Sequence, residues 1–227
     1  MRYRVPICGF LLLASVLARS GELLDRIVAT ENNRPILQSE LEDEIRYEAF
    51  MSGRNQPDAT SADRKEALNR LIDQELIKGQ ARPADTKRVN PADVDAKIQS
   101  LKAEYAKQST PDSWAAALLR YGIGEDVVRE RVTQELADLL IVDARLRPAI
   151  QIDPQEIKTY YEQKLLPALP PGQHTSLRDA TPQIRELLVQ EHINQQLEPW
   201  LQALREQADI RYMDSTDTQT STTGHKP

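Results

Sequence analysis

The sequence predicts a mainly α-helical fold with a small β-sheet formed by an N-terminal hairpin and a C-terminal strand. Apolar residues recur at helical spacing through most of the 227 residues. Two short β-prone runs, residues 26–30 and 35–37, flank Asn32-Asn33, and asparagine tolerates the positive φ of a tight hairpin turn. A third run, residues 210–212, is too short to be stable alone, so we expect it to complete the sheet.

The composition argues against several classes of protein. With only 8 glycines against 14 prolines, the chain lacks the glycines of a Gly-rich nucleotide-binding enzyme or of an all-β fold built on tight turns. Its 35 Asp and Glu residues outnumber 29 Lys and Arg residues, giving a net charge of -6. Because phosphate binding requires clustered cations, this balance argues against nucleic acid as a partner.

The first residues have the pattern of a secretory signal peptide. Arg2 and Arg4 precede an apolar run over 5–17, and Ala18 offers a small residue at a cleavage point. We therefore predict a signal peptide over 1–18 and an exported protein. The apolar run is shorter than the roughly 20 residues that span a bilayer, and a retained membrane anchor is the alternative. Cleavage would remove Cys8, the only cysteine, and with it any disulfide or thiolate chemistry.

The first half of the chain reads as a hairpin followed by helices. Ser39, with Glu42 three residues later, predicts a capping box and the start of the first helix. A second helix is predicted over about 62–80, and Asn90-Pro91 opens a third, since proline is favoured at the first helical position. The core-facing stripe of this third helix is Val94, Ile98, Leu101 and Tyr105.

Two further helices are predicted in the middle of the chain. A short helix begins near Trp114 and ends at Tyr121-Gly122. A long one runs from about Glu125, with an apolar stripe that includes Leu139, until Arg147-Pro148 stops it.

The remaining segments are two helices, a connector and a tail. Asp153-Pro154 caps and opens the first helix. Residues 166–180 contain prolines and no periodicity, so they are predicted to be a connector. Thr181-Pro182 opens a last helix of about 25 residues. The tail, 214–227, is rich in Ser, Thr, Asp and Gln and is predicted to be disordered.

The sequence contains little that suggests catalysis. His174, His192 and His225 share no metal-ligand spacing with one another or with a carboxylate. No phosphate-binding GxxxxGK[ST] loop, GxSxG nucleophile elbow or HExxH zinc pair occurs. We therefore predict no catalytic residue, no metal site and no cofactor or nucleotide.

The order of several short segments carries a resemblance. They are residues 25–29 (Asp-Arg-Ile-Val-Ala), 35–41 (Pro-Ile-Leu-Gln-Ser-Glu-Leu), 67–77 (Ala-Leu-Asn-Arg-Leu-Ile-Asp-Gln-Glu-Leu-Ile), 121–123 (Tyr-Gly-Ile), 152–157 (Ile-Asp-Pro-Gln-Glu-Ile) and 199–201 (Pro-Trp-Leu), followed by Arg205 and Ile210. In this order they resemble the SurA-type periplasmic chaperones, relatives of the PrsA foldases. In that family, parvulin-type peptidyl-prolyl isomerase domains precede the C-terminal helix. Here the connector 166–180 stands in that place and is too short to hold such a domain.

The resemblance implies a chaperone domain over 19–213 that is not an enzyme. Its N-terminal part, 19–165, and its C-terminal helix and strand, 181–213, would form one module. Such a protein would work in the periplasm without ATP, binding unfolded exported or outer-membrane proteins and assisting their folding or assembly. A peptidyl-prolyl isomerase and an envelope assembly subunit with one fixed partner are the alternatives.

Client binding requires apolar residues that face a groove instead of the core. We expect part of the apolar set around Trp114, Leu118, Tyr121 and Tyr161 to do so. Tyr160 and Tyr161 are adjacent, and we expect that they do not both point inward from one helix. These four residues are the client-binding candidates of the sequence.

Overall fold

A computed structural model describes residues 25–54, 59–83, 88–107, 113–170 and 172–213. The predicted signal peptide, 1–18, and the predicted disordered tail, 214–227, lie outside the described residues. Within the described ranges, no helix is both long enough and apolar enough to cross a bilayer.

The termini of the described chain meet in a three-stranded antiparallel sheet. Strand β1 (Ile27–Glu31) lies between β2 (Arg34–Leu37) and β3 (Ile210–Tyr212). Asn32 and Asn33 make the hairpin turn at φ of 45° and 68°, as their residue type predicts. The predicted third strand is confirmed, and β1 extends through Glu31, whose side chain is buried.

The rest of the fold is helical, which confirms the predicted mainly α class. The helices are α1 (Gln38–Met51), α2 (Ser61–Gly79), α3 (Pro91–Lys107), α4 (Trp114–Tyr121), α5 (Glu125–Leu146), α6 (Pro154–Tyr160), α7 (Leu166–Ala168) and α8 (Leu177–Gln207). A 3-10 turn, Arg147–Ala149, ends α5, and a π-helical turn, Tyr161–Leu165, joins α6 to α7.

Two helices begin earlier than the sequence predicts. Helix α1 starts at Gln38 because the Leu37 amide donates to the Glu40 carboxylate at 2.8 Å, whereas the predicted cap, Ser39, bonds to Asp25 instead.

Helix α8 has 31 residues and starts at Leu177, four residues before Thr181. Ser176 caps it by accepting from the Asp179 amide at 3.2 Å. Pro182 therefore lies inside the helix, where its missing N–H leaves one helical hydrogen bond unmade. The non-helical link between α7 and α8 is consequently reduced to residues 169–176.

Helix α8 joins the distant parts of the chain. Its Leu204 packs with the sheet and α2, its Leu201 with α2 and α5, and its Ile184 with α6. Near its end, the Arg205 guanidinium donates to both carboxylate oxygens of Asp73 on α2, at 2.6 and 2.7 Å. The fold thus places α1, α2, α5 and α8 around one region of the surface.

Candidate functional site

Three of the four client-binding candidates lie on α4 and pack mainly into the core. Leu118 and Tyr121 are 4% and 3% exposed. The Phe50 ring meets Trp114 and Tyr121 edge to face, with centroids 5.1 and 5.7 Å apart. Trp114 is half-buried at the margin of this cluster. Leu118 and Tyr121 are therefore core residues in this conformation, because α4 turns its apolar face toward α1.

Tyr161 lies in a different cluster, beside α6 and α8. Its hydroxyl donates to the Thr175 carbonyl at 2.6 Å. Tyr160 and Tyr161 are both half-buried against the cluster around Ile157 and Ile184, which corrects the expectation that only one of them faces inward. Neighbouring helical residues are about 100° apart, so both can flank the same contact. The structure does not bring Tyr161 together with the α4 residues.

A different surface, along α5, has the shape of a binding site. Three cavities adjoin there, with volumes of about 460, 410 and 380 Å³. The first and the middle cavity share Gln74, Arg131 and Gln134 in their lining. The middle and the last cavity share Leu139, Val142 and Leu197, and we call these two together the Leu139 cleft. Each volume lies in the range of ordinary ligand pockets.

The Leu139 cleft offers apolar surface at its rim. Leu139 is 53% exposed and Met51, across the middle cavity on α1, is 37% exposed. Ile77 of α2 and Leu197 of α8 also line the middle cavity. An apolar segment that entered would therefore meet side chains from four helices.

The middle cavity also carries an excess of acidic residues. Five carboxylate side chains line it against two guanidinium groups. Both arginines are already engaged, Arg131 with Glu44 and Arg70 with Glu48. Glu44 is 2% exposed, and burial raises the pKa of its carboxyl despite the opposing charge of Arg131.

Asp138 is the carboxylate of this cavity with the fewest partners. Its residue is 8% exposed, and its carboxylate accepts one hydrogen bond, from the Gln134 amide at 2.7 Å. Burial is the main cause that raises the pKa of this carboxyl. Among the described residues, no Lys, Arg or His side chain forms an ion pair with it.

Sequence reasoning placed Leu139 on a core-facing stripe and did not single out Asp138. The adjacent pair Leu139 and Leu140 could have indicated an exposed leucine, because an ordinary surface helix buries a single apolar stripe and two adjacent leucines widen it. Nothing in the sequence predicts the burial of Asp138, since this requires α1, α2 and α5 to meet.

Other titratable residues lie outside this cavity in the part of the chain that the structure describes. No three of its His, Cys, Asp and Glu side chains are placed to hold a metal ion. The His192 ring nitrogen lies 2.8 Å from a Glu156 oxygen, a pair that the sequence reasoning did not foresee and that links α8 to α6. The chemistry that the Leu139 cleft offers is apolar contact and negative charge.

No model of a known protein family matches the chain. A protein named Chaperone SurA from Chromohalobacter salexigens is 26% identical over 162 residues, which cover 69% of this chain and 37% of that protein. Chaperone SurA from Pseudomonas putida is 28% identical over 155 residues, which cover 67% of this chain and 35% of that protein. The chain is similar to SurA chaperones. The resemblance expected from its segments is thereby confirmed, and the chain spans just over a third of the length of these SurA relatives.

A solved SurA-like chaperone of Campylobacter jejuni is a further structural neighbour. It is 13% identical, with a TM-score of 0.45, and the comparison covers 83% of this chain and 99% of that chain.

Proposed function

We propose that this protein is an ATP-independent chaperone of the periplasm, which binds unfolded exported or outer-membrane proteins and assists their folding or assembly. Its similarity to proteins named Chaperone SurA supports the chaperone role. The observation that carries the proposal is the Leu139 cleft, where an exposed leucine stands between two adjoining cavities.

The size of this surface suits an extended client. Helix α5 has 22 residues and is about 33 Å long, at about 1.5 Å per residue. An extended polypeptide rises about 3.3 Å per residue, so about ten client residues would match the length of α5. A groove of this kind accepts many sequences, because apolar contact depends on area more than on the identity of each side chain.

The free energy of client binding that such a chaperone requires is modest. A chaperone without ATP must hold clients tightly enough to prevent aggregation and loosely enough to release them. A micromolar dissociation constant corresponds to about -8 kcal/mol. A few well-buried apolar side chains can supply this after the cost of association is subtracted.

The client role of Trp114, Leu118, Tyr121 and Tyr161 stays a prediction. Trp114 and Tyr161 are half-buried and partly accessible to a client at the surface. Leu118 and Tyr121 would contact a client only if α4 separated from α1, since their side chains pack in the core. The Leu139 cleft and the α4 surface are therefore two testable locations.

A light-scattering assay tests the function and its location together. The purified protein, without nucleotide, is expected to suppress aggregation of an outer-membrane protein diluted from denaturant. Leu139→Asn should weaken this suppression several-fold, because a polar amide in the cleft opposes apolar contact. Leu119→Asn is the matched control, since Leu119 is 81% exposed on α4 and lies outside the cleft.

Other outcomes would contradict parts of the proposal. Weakening by Leu119→Asn alone would move the site to α4, and no suppression by the wild-type protein would refute the chaperone role. Acceleration of prolyl-peptide isomerisation would favour the isomerase alternative. Capture of one native envelope partner, with no binding of unfolded chains, would favour the assembly subunit.

A further inference from the structure

The middle cavity combines apolar surface with an acidic residue that forms no ion pair within the described residues. Leu139 and Met51 supply the apolar rim, and Asp138 lies in the wall between α2 and α5. We propose that this cavity takes a lysine or arginine side chain of an unfolded client, flanked by apolar client residues, with Asp138 as its ion-pair partner. This rests on the proposed function and names the class of client segment.

The charge of the lining supports a cationic occupant. Its two arginines are paired with Glu44 and Glu48, so they do not neutralise Asp138. Asp73, also in the lining, accepts hydrogen bonds from Nε and Nη2 of Arg205. The other lining carboxylate, Glu135, has Lys97 at 3.7 Å. Each of these acids thus has a cationic partner, whereas the hydrogen-bond partner of Asp138 within the described residues is the neutral Gln134 amide.

Burial of the Asp138 carboxylate favours the binding of a cation. A buried carboxylate with few hydrogen bonds loses hydration without full compensation. Lys78 acts on Asp138 through space, but its ammonium is paired with Glu75 at 2.8 Å. A client ammonium or guanidinium would form a charge-assisted hydrogen bond in this partly desolvated place.

The long side chains of lysine and arginine also fit the apolar part of the cavity. Their methylene stems can lie along Leu139 and Ile77 while the charged end reaches the wall. The volume of about 410 Å³ is large enough for such a side chain with an apolar neighbour. An acidic client segment would instead meet like charge.

Two labelled peptides test this inference by fluorescence anisotropy. Both have ten residues with alternating leucines, and they differ at one central position, which is lysine in one and acetyl-lysine in the other. Acetylation keeps the stem and removes the charge. Wild-type protein is expected to bind the lysine peptide about tenfold more tightly, which is the effect of one charge-assisted hydrogen bond.

Variants of the full chain assign the preference to Asp138. Asp138→Asn should abolish the difference between the peptides and leave binding of the acetylated peptide unchanged. Asp126→Asn is the matched control, because it makes the same change of charge on α5 at an exposed residue outside the cavity, and it should retain the preference. A melting curve by circular dichroism checks that each variant is folded.

The contrary outcomes separate this inference from the proposed function. Equal affinity of wild-type protein for both peptides, or a preference that survives Asp138→Asn, would overturn the role of Asp138 and leave the chaperone proposal standing. If neither peptide binds while aggregation is still suppressed, clients bind elsewhere and the inference is wrong.

Discussion

Glu44 and Asp138 are both buried carboxylates beside α5, and their surroundings differ. Glu44 forms an ion pair with Arg131, while Asp138 accepts a hydrogen bond from a neutral amide. Burial raises the pKa of both carboxyls. A buried group that loses its partner is costly, so Arg131 is needed to keep Glu44 in place. Asp138 has no such partner within the described chain, and its burial weakens the fold.

We therefore expect Asp138→Asn to raise the free energy of unfolding at neutral pH. The folded-state pKa of Asp138 lies above its ordinary value of 3.8, so the folded state holds this proton more tightly than the unfolded state. The cost is present once the pH exceeds the folded-state pKa and disappears below the unfolded value. Urea unfolding of both proteins at pH 7 and near pH 3.5 should show an advantage of the variant that shrinks at the lower pH.

The exposed Asp126→Asn variant controls for the change in net charge and should gain no such advantage. A less stable Asp138→Asn protein at pH 7 would mean that Asp138 stabilises the fold. If Asp138→Asn is more stable and no longer prefers the lysine peptide, Asp138 contributes to binding and not to the stability of the fold.

At the scale of elements, residue type fixes where the helices end and change geometry. Gly122 ends α4 at φ of 66°, a conformation that side chains disfavour. The π-helical turn Tyr161–Leu165 lies immediately before Leu166-Pro167, where Pro167 has no amide hydrogen to continue the regular pattern. These local rules are readable from the sequence.

Two glycine substitutions should have opposite effects on stability. Gly122→Ala is expected to lower the free energy of unfolding by about 1 to 2 kcal/mol, because alanine is strained at positive φ. A Cβ at this position would meet no atom within 4 Å, so backbone strain is the whole cause. Gly79→Ala, at the end of α2, should stabilise by up to about 1 kcal/mol, since a Cβ there is also unobstructed and alanine favours the helix. Chemical denaturation measures both, and equal effects would contradict the argument from backbone conformation.

At the scale of the whole molecule, α8 and β3 complete a core that begins far away in the sequence. Ile193 and Leu201 pack with Ile77 and Val142, and β3 pairs with β1. A two-stranded hairpin is marginal by itself in water. We therefore expect the C-terminal segment to unfold in the same cooperative unit as the N-terminal helices.

Ending the chain at Ser176 should abolish cooperative unfolding. Removal of α8 and β3 leaves apolar faces of α2, α5 and α6 uncovered and one edge of β1 unpaired. Thermal melts followed by circular dichroism should then show a broad, shallow transition. A fragment that melts as sharply as the intact protein would mean that residues before 177 form an independent domain.

The sequence by itself determined the helical class, the Asn32-Asn33 turn, the third strand and the starts of most helices, because periodicity, capping and turn chemistry act over a few residues. It also carried the resemblance to SurA chaperones. Only the tertiary structure decided that Tyr121 is buried while Leu139 stands exposed, and that Asp138 lies in the wall of a cavity. These outcomes depend on which helices pack together across more than a hundred residues of chain, as α8 and α2 do where Arg205 meets Asp73. The pattern of residues along one helix does not specify which helices will be its neighbours.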